Sequence, residues 1–320
     1  MNPDKSTGIF TIAMLPIRSR YTEEWYGLLR SNPRFAAPVP ARSRDLHPAP
    51  YNYFTNLEDA LEYEADQLVY FLFALPQGAR KLFLVDLDFP GLTAAVLPLL
   101  RLKFPHLRLY SMLHAGSWIK GDLFANDPIK PMLELAAIRC CEKVFVATTY
   151  HRDRICEYFG MDFDNLIVTD GFPFDAARAR VWANGTTHAR DVLVTGRREQ
   201  MDLRLPDGLV CDYHLTPLAR SEFVRLLATY KIAILPKVDE TFGLTALECA
   251  SVGTIPFVPA DFSYRELLPD ALTYRSKDEL PGRVREALAD PGRFQGYLNQ
   301  IDLDRFVGIF DEIADEIEKE

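Results

Sequence analysis

The chain has 320 residues, of which 48% are hydrophobic and 25% are charged, and its formal net charge is −9 at pH 7. This composition is typical of a globular protein and excludes wholesale disorder, while the length exceeds what one hydrophobic core usually supports and favours about two domains. The acidic balance argues against general binding to nucleic-acid backbones or anionic membranes, because both require clustered Lys and Arg.

The first half of the chain alternates short apolar runs with helical segments, which is typical of an α/β fold with mainly parallel strands. The first four predicted strands are expected to form one sheet. Residues 32–50 are rich in Pro and Arg and are predicted to be an irregular, exposed edge. The predicted strands are residues 9–15, 81–85, 107–113, 143–147 and 166–169, and the predicted helices are residues 58–75, 91–103, 129–141 and 150–159.

The second half repeats this alternation after the sequence Asp-Gly-Phe-Pro at residues 170–173, which marks a candidate hinge between domains. Residues 306–317 carry an apolar stripe at helical spacing that needs a surface to pack on. We therefore expect two successive α/β sheets with a cleft between them. The predicted strands are residues 191–195, 210–213, 232–235 and 255–258, and the predicted helices are residues 221–229, 245–251 and 278–289.

Cysteine usage and the N-terminus favour a soluble protein of the reducing cytoplasm. The five cysteines form no CxxC pair and show no zinc-type spacing with histidine. The N-terminal residues lack a signal-peptide pattern, and no apolar run approaches the ~18 residues that span a bilayer.

The most informative stretch is residues 232–258, IAILPKVDETFGLTALECASVGTIPFV, in which a buried strand leads through a loop into a helix. Ligands of open α/β sheets bind beyond the carboxyl ends of strands, where a helix N-terminus offers N–H groups to a diphosphate. Glu240 could then accept hydrogen bonds from sugar hydroxyls and Glu248 from ribose hydroxyls, although both could equally be helix caps or solvated charges. The expected diphosphate donors are the backbone N–H groups of Phe242, Gly243, Leu244 and Thr245.

The segment ETFGLTALE resembles the E-x7-E motif of retaining GT-B glycosyltransferases of the family 4 type, with Glu240 and Glu248 as its two glutamates. Further landmarks follow in the family's order. His114, after the strand LRLYSML, is similar to the histidine at the sugar end of the cleft, and VLVTGRR is similar to the strand that grips the donor diphosphate through Gly196 and Arg197.

The resemblance implies a GT-B fold, in which two Rossmann-like domains face each other across a cleft. The implied boundaries are an acceptor-side domain at 1–172, a donor domain at 173–292, and a helical segment at 293–320 that packs back on the first domain. It further implies a UDP- or GDP-sugar as co-substrate, transfer with retention of anomeric configuration, and no required cofactor or metal. Glu240, His114 and Arg197 are the expected catalytic residues.

The sequence departs from the family pattern in the donor domain. The family has a Lys five residues after the diphosphate-binding Arg, whereas position 202 is Asp, so Arg198 or Arg204 would have to supply the second positive charge. The stretch between Arg197 and the strand at 210–213 is also short, which predicts a shortened C-terminal domain. LPIRSRY replaces the glycine-rich loop that is expected after the first strand.

Two alternatives concern the first domain and its ligands. Asp86 and Asp88 form a DxD pattern at a strand end, which in other transferases holds a divalent ion, but the stronger donor features lie in the second half. His114 could instead be a hydrogen-bonded histidine at a strand end without a role at the sugar, and Arg197 could be an ordinary salt-bridged arginine.

The acceptor is expected to be another sugar, a small metabolite or a nucleic-acid base, and a membrane acceptor is disfavoured because no basic amphipathic helix is present. The alternative functions are a nucleotide-sugar epimerase and a non-catalytic binding protein that keeps the GT-B fold. An arginine-rich stretch is the one candidate for a polyanion-binding face, against the alternative of a solvated surface. Its members are Arg178, Arg180, Arg190, Arg197, Arg198 and Arg204.

Overall fold

A computed structural model describes residues 8–17, 21–36, 57–74, 80–122, 125–196, 198, 201–216 and 218–319. In the described part of the chain, two parallel β-sheets are each flanked by α-helices. This confirms the predicted α/β fold with two Rossmann-like domains. Apolar side chains from both faces of the strands are buried, as is expected when helices cover both sides of a parallel sheet.

Within the described residues, the first sheet has six strands: β1 (Ile9–Ile12), β2 (Phe35–Ala36), β3 (Lys81–Leu84), β4 (Arg108–Met112), β5 (Lys143–Val146) and β6 (Leu166–Val168). Their order across the sheet is β2-β1-β3-β4-β5-β6, and every pair is parallel. The connecting helices are α1 (Tyr21–Ser31), α2 (Leu57–Ala74), α3 (Leu92–Lys103), α4 (Lys130–Cys140) and α5 (Thr149–Phe159).

The second sheet, as far as the described part of the chain shows it, has five strands: β7 (Arg190–Thr195), β8 (Asp212–His214), β9 (Tyr230–Ile234), β10 (Ile255–Pro259) and β11 (Thr273–Tyr274). Their order is β11-β10-β9-β7-β8, again with parallel pairs. The α-helices of this half are α6 (Ala176–Ala183), α7 (Arg220–Leu227), α8 (Leu244–Ser251), α9 (Tyr264–Leu267), α10 (Leu280–Ala289) and α11 (Pro291–Leu298). A 3₁₀ turn at Asp304–Gly308 leads into the last helix, α12 (Ile309–Glu318).

Helix α12 packs on the first sheet rather than on the second, which precedes it in the chain. Phe310 lies with its ring 5.9 Å from that of Phe35 and 6.4 Å from that of Phe83. Lysines at the amino ends of two strands, Lys81 and Lys143, donate through Nζ to main-chain carbonyl oxygens near the end of α12, at 2.8 and 2.9 Å. Cations near a helix C-terminus stabilise its unpaired carbonyls, so these contacts hold the helix in place.

The structure differs from the sequence-based expectation at several elements. The first sheet has six strands rather than four, because β6 and the short β2 extend its two edges. Four described helices, α1, α6, α9 and α11, and the strand β11 had no counterpart in the prediction. Strand β2 lies inside the stretch predicted to be irregular, most of which is outside the described residues. None of the described helices is both long enough and apolar enough to cross a membrane.

Candidate active site

Residues 235–243, which connect β9 to α8 and are called the motif loop below, are hydrogen-bonded to the first domain at the carboxyl ends of the strands. Thr241 donates from Oγ1 to the main-chain oxygen of His114 at 2.7 Å, and Thr148 Oγ1 donates to the main-chain oxygen of Thr241 at 3.1 Å. His114 follows β4, Thr148 caps α5 after β5, and Thr241 follows β9. The contact therefore brings together loops at the edge of each sheet where ligands of open α/β folds bind.

Glu240, the first glutamate of the motif, directly precedes Thr241 and forms an ion pair within its own loop. Its Oε2 is 3.3 Å from Nζ of Lys237, and the backbone N–H of Phe242 donates to Oε1 at 3.5 Å. Burial alone would raise the pKa of the Glu240 carboxyl, but Lys237 and the N–H groups of Gly243 and Phe242 outweigh it and lower the pKa below its ordinary value. Glu240 is therefore a carboxylate at neutral pH, with Lys237 as a neighbouring cation that sequence reasoning did not single out.

Helix α8 begins where the motif predicts, with Gly243 as its N-cap. Gly243 has φ +76°, and a Cβ there would lie 2.6 Å from the ring of Tyr264. The glycine is thus required by backbone conformation and by the close approach of an aromatic ring. The first N–H groups of a helix have no intrahelical acceptor, so those of Leu244 and Thr245 remain candidates for the predicted contact with an anion. Those of Phe242 and Gly243, which the sequence also predicted as diphosphate donors, are directed to Glu240.

Glu248, the second glutamate, is buried in an ion cluster that spans both domains. Its Oε1 accepts a hydrogen bond from Nε of Arg220 at 2.8 Å, and Nη1 of the same guanidinium lies 3.0 Å from Oε2 of Glu24 on α1. Burial raises the pKa of both carboxyl groups, opposed by the attraction of Arg220. Arg220 is thus the partner of the Glu248 carboxylate. The binding of ribose hydroxyls by Glu248 stays a prediction.

His114 is the centre of a short hydrogen-bonded chain in the first domain. Its Nδ1 lies 2.8 Å from Oδ2 of Asp86, which follows β3, and its Nε2 is hydrogen-bonded to the hydroxyl of Tyr21 on α1. The rings of Trp25 and Phe172 pack edge-on against the imidazole, at 5.9 and 6.3 Å between centroids. His114 is therefore fixed in position and orientation, and its main-chain oxygen carries the contact with the motif loop.

The two aspartates of the DxD pattern bind different partners. Asp86 accepts from His114, whereas Asp88 Oδ1 lies 2.7 Å from Nζ of Lys130 on α4. Burial raises the pKa of Asp88 well above its ordinary value, against the attraction of Lys130. No group of three or more His, Cys, Asp or Glu side chains arranged to hold a metal ion occurs among the described residues.

The candidate diphosphate loop follows β7. Gly196 has φ +144°, and a Cβ there would lie 2.5 Å from Sδ of Met201, whose backbone bridges to Lys237. Arg197 lies outside the described residues, and Arg198 is exposed. Asp202 pairs with Lys277 at 2.7 Å and with Arg204 at 2.8 Å.

Two acidic residues form hydrogen bonds between the domains, and sequence reasoning did not identify either of them. Asp239 accepts a hydrogen bond from the N–H of Lys120 at 3.2 Å and from the hydroxyl of Tyr150 at 2.9 Å. Glu266 accepts from the N–H groups of Thr149 and Tyr150 at 2.8 and 2.7 Å, and so caps α5 from the other domain. An acidic residue one position before the motif was the only sequence signal for Asp239, and none pointed to Glu266.

The chain matches no protein-family model and no curated protein. Among solved structures, it is similar to a sucrose-phosphate synthase from Thermosynechococcus elongatus, with TM-score 0.65, 14% identity and 98% of each chain covered. The N-terminal domain of a Candida albicans trehalose-6-phosphate phosphatase gives TM-score 0.64 at 9% identity, covering 98% of this chain and 97% of that one. A UDP-forming α,α-trehalose-phosphate synthase from Burkholderia xenovorans, in complex with glucose-6-phosphate, gives TM-score 0.57 at 13% identity and coverages of 83% and 79%. At such identities the likeness shows the fold alone, which is the GT-B arrangement of two Rossmann-like domains.

Proposed function

We propose that the chain is a glycosyltransferase that moves a sugar from a UDP- or GDP-sugar to an acceptor with retention of anomeric configuration and without a required metal. The observation that supports this proposal is the hydrogen bond from Thr241 to the main-chain oxygen of His114, which joins the loop that carries the motif's first glutamate to the loop that carries the histidine expected at the sugar. These two landmarks are 126 positions apart in sequence, counted as 240 minus 114, and the fold brings their loops into contact.

The donor diphosphate is proposed to lie between the loop after β7 and the N-terminus of α8. Gly196, Arg197 and Arg198 would contact it from one side and the N–H groups of Leu244 and Thr245 from the other. Arg204 and Lys237 each have an acidic partner, Asp202 and Glu240, but Lys237 precedes the motif in the same loop and is therefore the proposed source of a second positive charge. Because Lys237 also pairs with Glu240, one cation would link the diphosphate to the carboxylate at the sugar.

Catalysis would consist of orienting both reactants and stabilising the departing diphosphate with these cations and N–H groups. Glu240, ionised because its pKa is lowered, would accept hydrogen bonds from hydroxyls of the transferred sugar. Among the described residues no second carboxylate stands out as a covalent nucleophile. The proposed route is therefore front-side attack by the acceptor on the anomeric carbon of the donor sugar, on the face from which the diphosphate leaves, with the acceptor's proton passing to the departing diphosphate. Glu248 would bind the ribose by exchanging part of its contact with Arg220.

The proposed acceptor is a sugar or a small phosphorylated metabolite that enters from the first domain. The trehalose-phosphate synthase with this fold was solved in complex with glucose-6-phosphate, which supports that class. The arginine-rich stretch gives less support to a nucleic-acid acceptor than its sequence did, because four of its members have acidic partners within 4 Å. These are Arg178 with Glu23, Arg180 with Asp304, Arg190 with Asp212 and Arg204 with Asp202.

A second candidate function is a GT-B domain that binds a ligand without turnover. It is favoured by one observation: both motif glutamates are ion-paired inside the protein, Glu240 with Lys237 and Glu248 with Arg220. The phosphatase domain with the same fold is a precedent for GT-B architecture within a protein that is not named as a transferase.

Donor binding is tested by thermal shift with nucleoside diphosphates and with the corresponding nucleosides. At ~100 times its dissociation constant, a bound ligand adds about 2.7 kcal/mol to stability, so at least one nucleoside diphosphate should raise Tm by several degrees. Lys237→Met should lower the affinity for that nucleoside diphosphate by about tenfold or more, since a hydrogen bond to a charged group is worth about 1.5 to 3 kcal/mol. The affinity for the corresponding nucleoside should change little.

The matched control is Lys231→Met, which removes an exposed lysine that pairs with Asp191 away from the motif loop. This variant should bind nucleoside diphosphates like the wild type. If no nucleoside diphosphate shifts the wild-type protein, the proposed donor site is wrong.

A further inference from the structure

The hydrogen bond between Asp86 and His114 can have only one donor. A carboxylate can only accept hydrogen bonds, so the short contact between Asp86 Oδ2 and His114 Nδ1 requires the proton to be on Nδ1. In the neutral imidazole Nε2 is then an acceptor, and the hydroxyl of Tyr21 donates to it. The side chain of Asp86 is fully buried while that of His114 is 21% exposed, so the aspartate is the fixed partner.

The surroundings leave the imidazole little freedom to turn. The rings of Tyr21, Trp25 and Phe172 lie 5.2, 5.9 and 6.3 Å from the His114 ring, and all three meet it edge-on. The second oxygen of Asp86, Oδ1, accepts the backbone N–H of Asp88 at 3.2 Å, which fixes the orientation of the carboxylate.

We infer that Asp86 is a positioning residue that holds His114 in the Nδ1–H tautomer, so that Nε2 is presented as an acceptor to a hydroxyl of the bound sugar. Tyr21 is the donor to Nε2 in the protein alone, and a sugar hydroxyl takes over this hydrogen bond. The inference rests on the proposed function for the identity of the ligand. It gives the buried aspartate a role in orienting an imidazole instead of in holding a metal ion.

The tautomer is measured directly by long-range ¹H–¹⁵N NMR of the ring nitrogens in histidine-labelled protein, with the His114 signals assigned from a His114→Gln variant. The wild type should carry its proton on Nδ1. Asp86→Asn reverses this expectation, because the backbone N–H of Asp88 keeps the Asn oxygen on its own side and turns the amide nitrogen, a donor, towards Nδ1. In this variant the proton should move to Nε2.

Two variants serve as controls. Asp88→Asn alters the other acid of the same loop, which pairs with Lys130, and should leave the His114 tautomer unchanged. Tyr21→Phe removes the donor to Nε2 but keeps Asp86, and should also keep the proton on Nδ1. With a donor and acceptor that support turnover, Asp86→Asn should lower kcat/KM by at least tenfold.

A wild-type proton on Nε2 would overturn the inference, and that spectrum is decisive even if Asp86→Asn does not fold. An unchanged tautomer in folded Asp86→Asn would overturn it as well, as would a reversed tautomer with normal turnover. Because the NMR experiment needs no substrate, its result is separate from the proposed function. A correct tautomer in a protein that transfers no sugar would reject the proposed function and leave Asp86 as the residue that orients His114.

Discussion

At the scale of single residues, the candidate site contains side chains that the sequence indicated and others that it did not. The resemblance predicted Glu240, Glu248, His114 and Gly243, and their roles at a ligand stay predictions. Two of their protein partners were not predictable, because Arg220 and Tyr21 reach Glu248 and His114 from segments without any motif. Lys237 is only three residues before Glu240, but its position in the sequence did not indicate an ion pair. Short polar contacts between distant segments depend on tertiary packing, to which the periodicity of hydrophobic residues is insensitive.

His151 should make the protein sensitive to acid. Burial lowers its pKa to about 3, with a smaller contribution from the neighbouring His114, and neither ring nitrogen has a hydrogen-bond partner among the described residues. A depressed folded pKa means that the unfolded chain binds the proton more tightly, so this contribution is complete above the ordinary pKa of ~6.5 and is lost as pH falls towards 3. Between pH 7 and 5 the loss should be about 2 kcal/mol.

The measurement is denaturant unfolding of the wild type and of His151→Leu at both pH values. The variant replaces the ring, which lies between Trp118 and Phe172, by an apolar side chain that cannot take up a proton. The stability difference between the two proteins should therefore shift in favour of the variant at pH 5. A difference that is the same at both pH values would show that His151 does not bind a proton on unfolding in this range.

At the scale of elements, the strands were the best predicted part of the fold. Apolar runs bounded by turn residues located β3, β4, β5 and β10 to within one or two residues, because strands covered on both faces must be continuously apolar. Helix α1 escaped notice although Glu23 and Glu24 lie in its first turn and Trp25 and Leu29 share a face. Its start at the end of LPIRSRY, where a glycine-rich loop was expected, masked a helical pattern that supplies Tyr21 and Glu24 to the site.

The start of α8 gives a prediction at this scale. Gly243→Ala places a Cβ at 2.6 Å from the ring of Tyr264 in a left-handed conformation, so both strain and a clash oppose it. Gly185→Ala is the matched control, because Gly185 has φ +79° and no neighbouring atom within 4 Å of the position that the added methyl group would take. The control should lose about 1 kcal/mol from backbone strain alone, and Gly243→Ala clearly more.

Thermal and denaturant unfolding of the two glycine variants measures the difference. Equal losses of stability would mean that Tyr264 moves aside at little cost, and that the glycine of the motif is needed only for its backbone conformation.

At the scale of the whole molecule, buried ion pairs connect the two domains. Arg220 of the second domain pairs with Glu248 of its own domain and with Glu24 of the first, and all three side chains are buried. Arg220→Met leaves two uncompensated buried carboxylates and should destabilise the protein by about 3 to 5 kcal/mol. Glu248→Gln leaves Glu24 and Arg220 as a balanced pair and should cost much less.

Denaturant unfolding at pH 7 compares these two variants. Because burial raises the pKa of Glu248, its proton is bound more tightly in the folded state, and that contribution to stability is lost as pH rises through the raised pKa. The wild type should therefore lose stability relative to Glu248→Gln as pH increases above the ordinary range of glutamate. Similar losses in Arg220→Met and Glu248→Gln at pH 7 would contradict the assignment of Arg220 as the shared cation.

The most direct test of the proposed transferase activity is turnover. UDP- and GDP-sugars are incubated with a panel of sugars and sugar phosphates that includes glucose-6-phosphate, with and without chelator, and nucleoside diphosphate and glycoside are measured. We expect acceptor-dependent release of nucleoside diphosphate, a product with retained anomeric configuration by NMR, and no loss of activity with chelator. In Glu240→Gln, kcat should be about ten- to hundredfold lower, since a hydrogen bond to a charged group is worth about 1.5 to 3 kcal/mol. Two results would contradict the proposed transferase: a nucleotide sugar that binds while no donor releases nucleoside diphosphate, or isomerisation of the donor sugar in the absence of an acceptor.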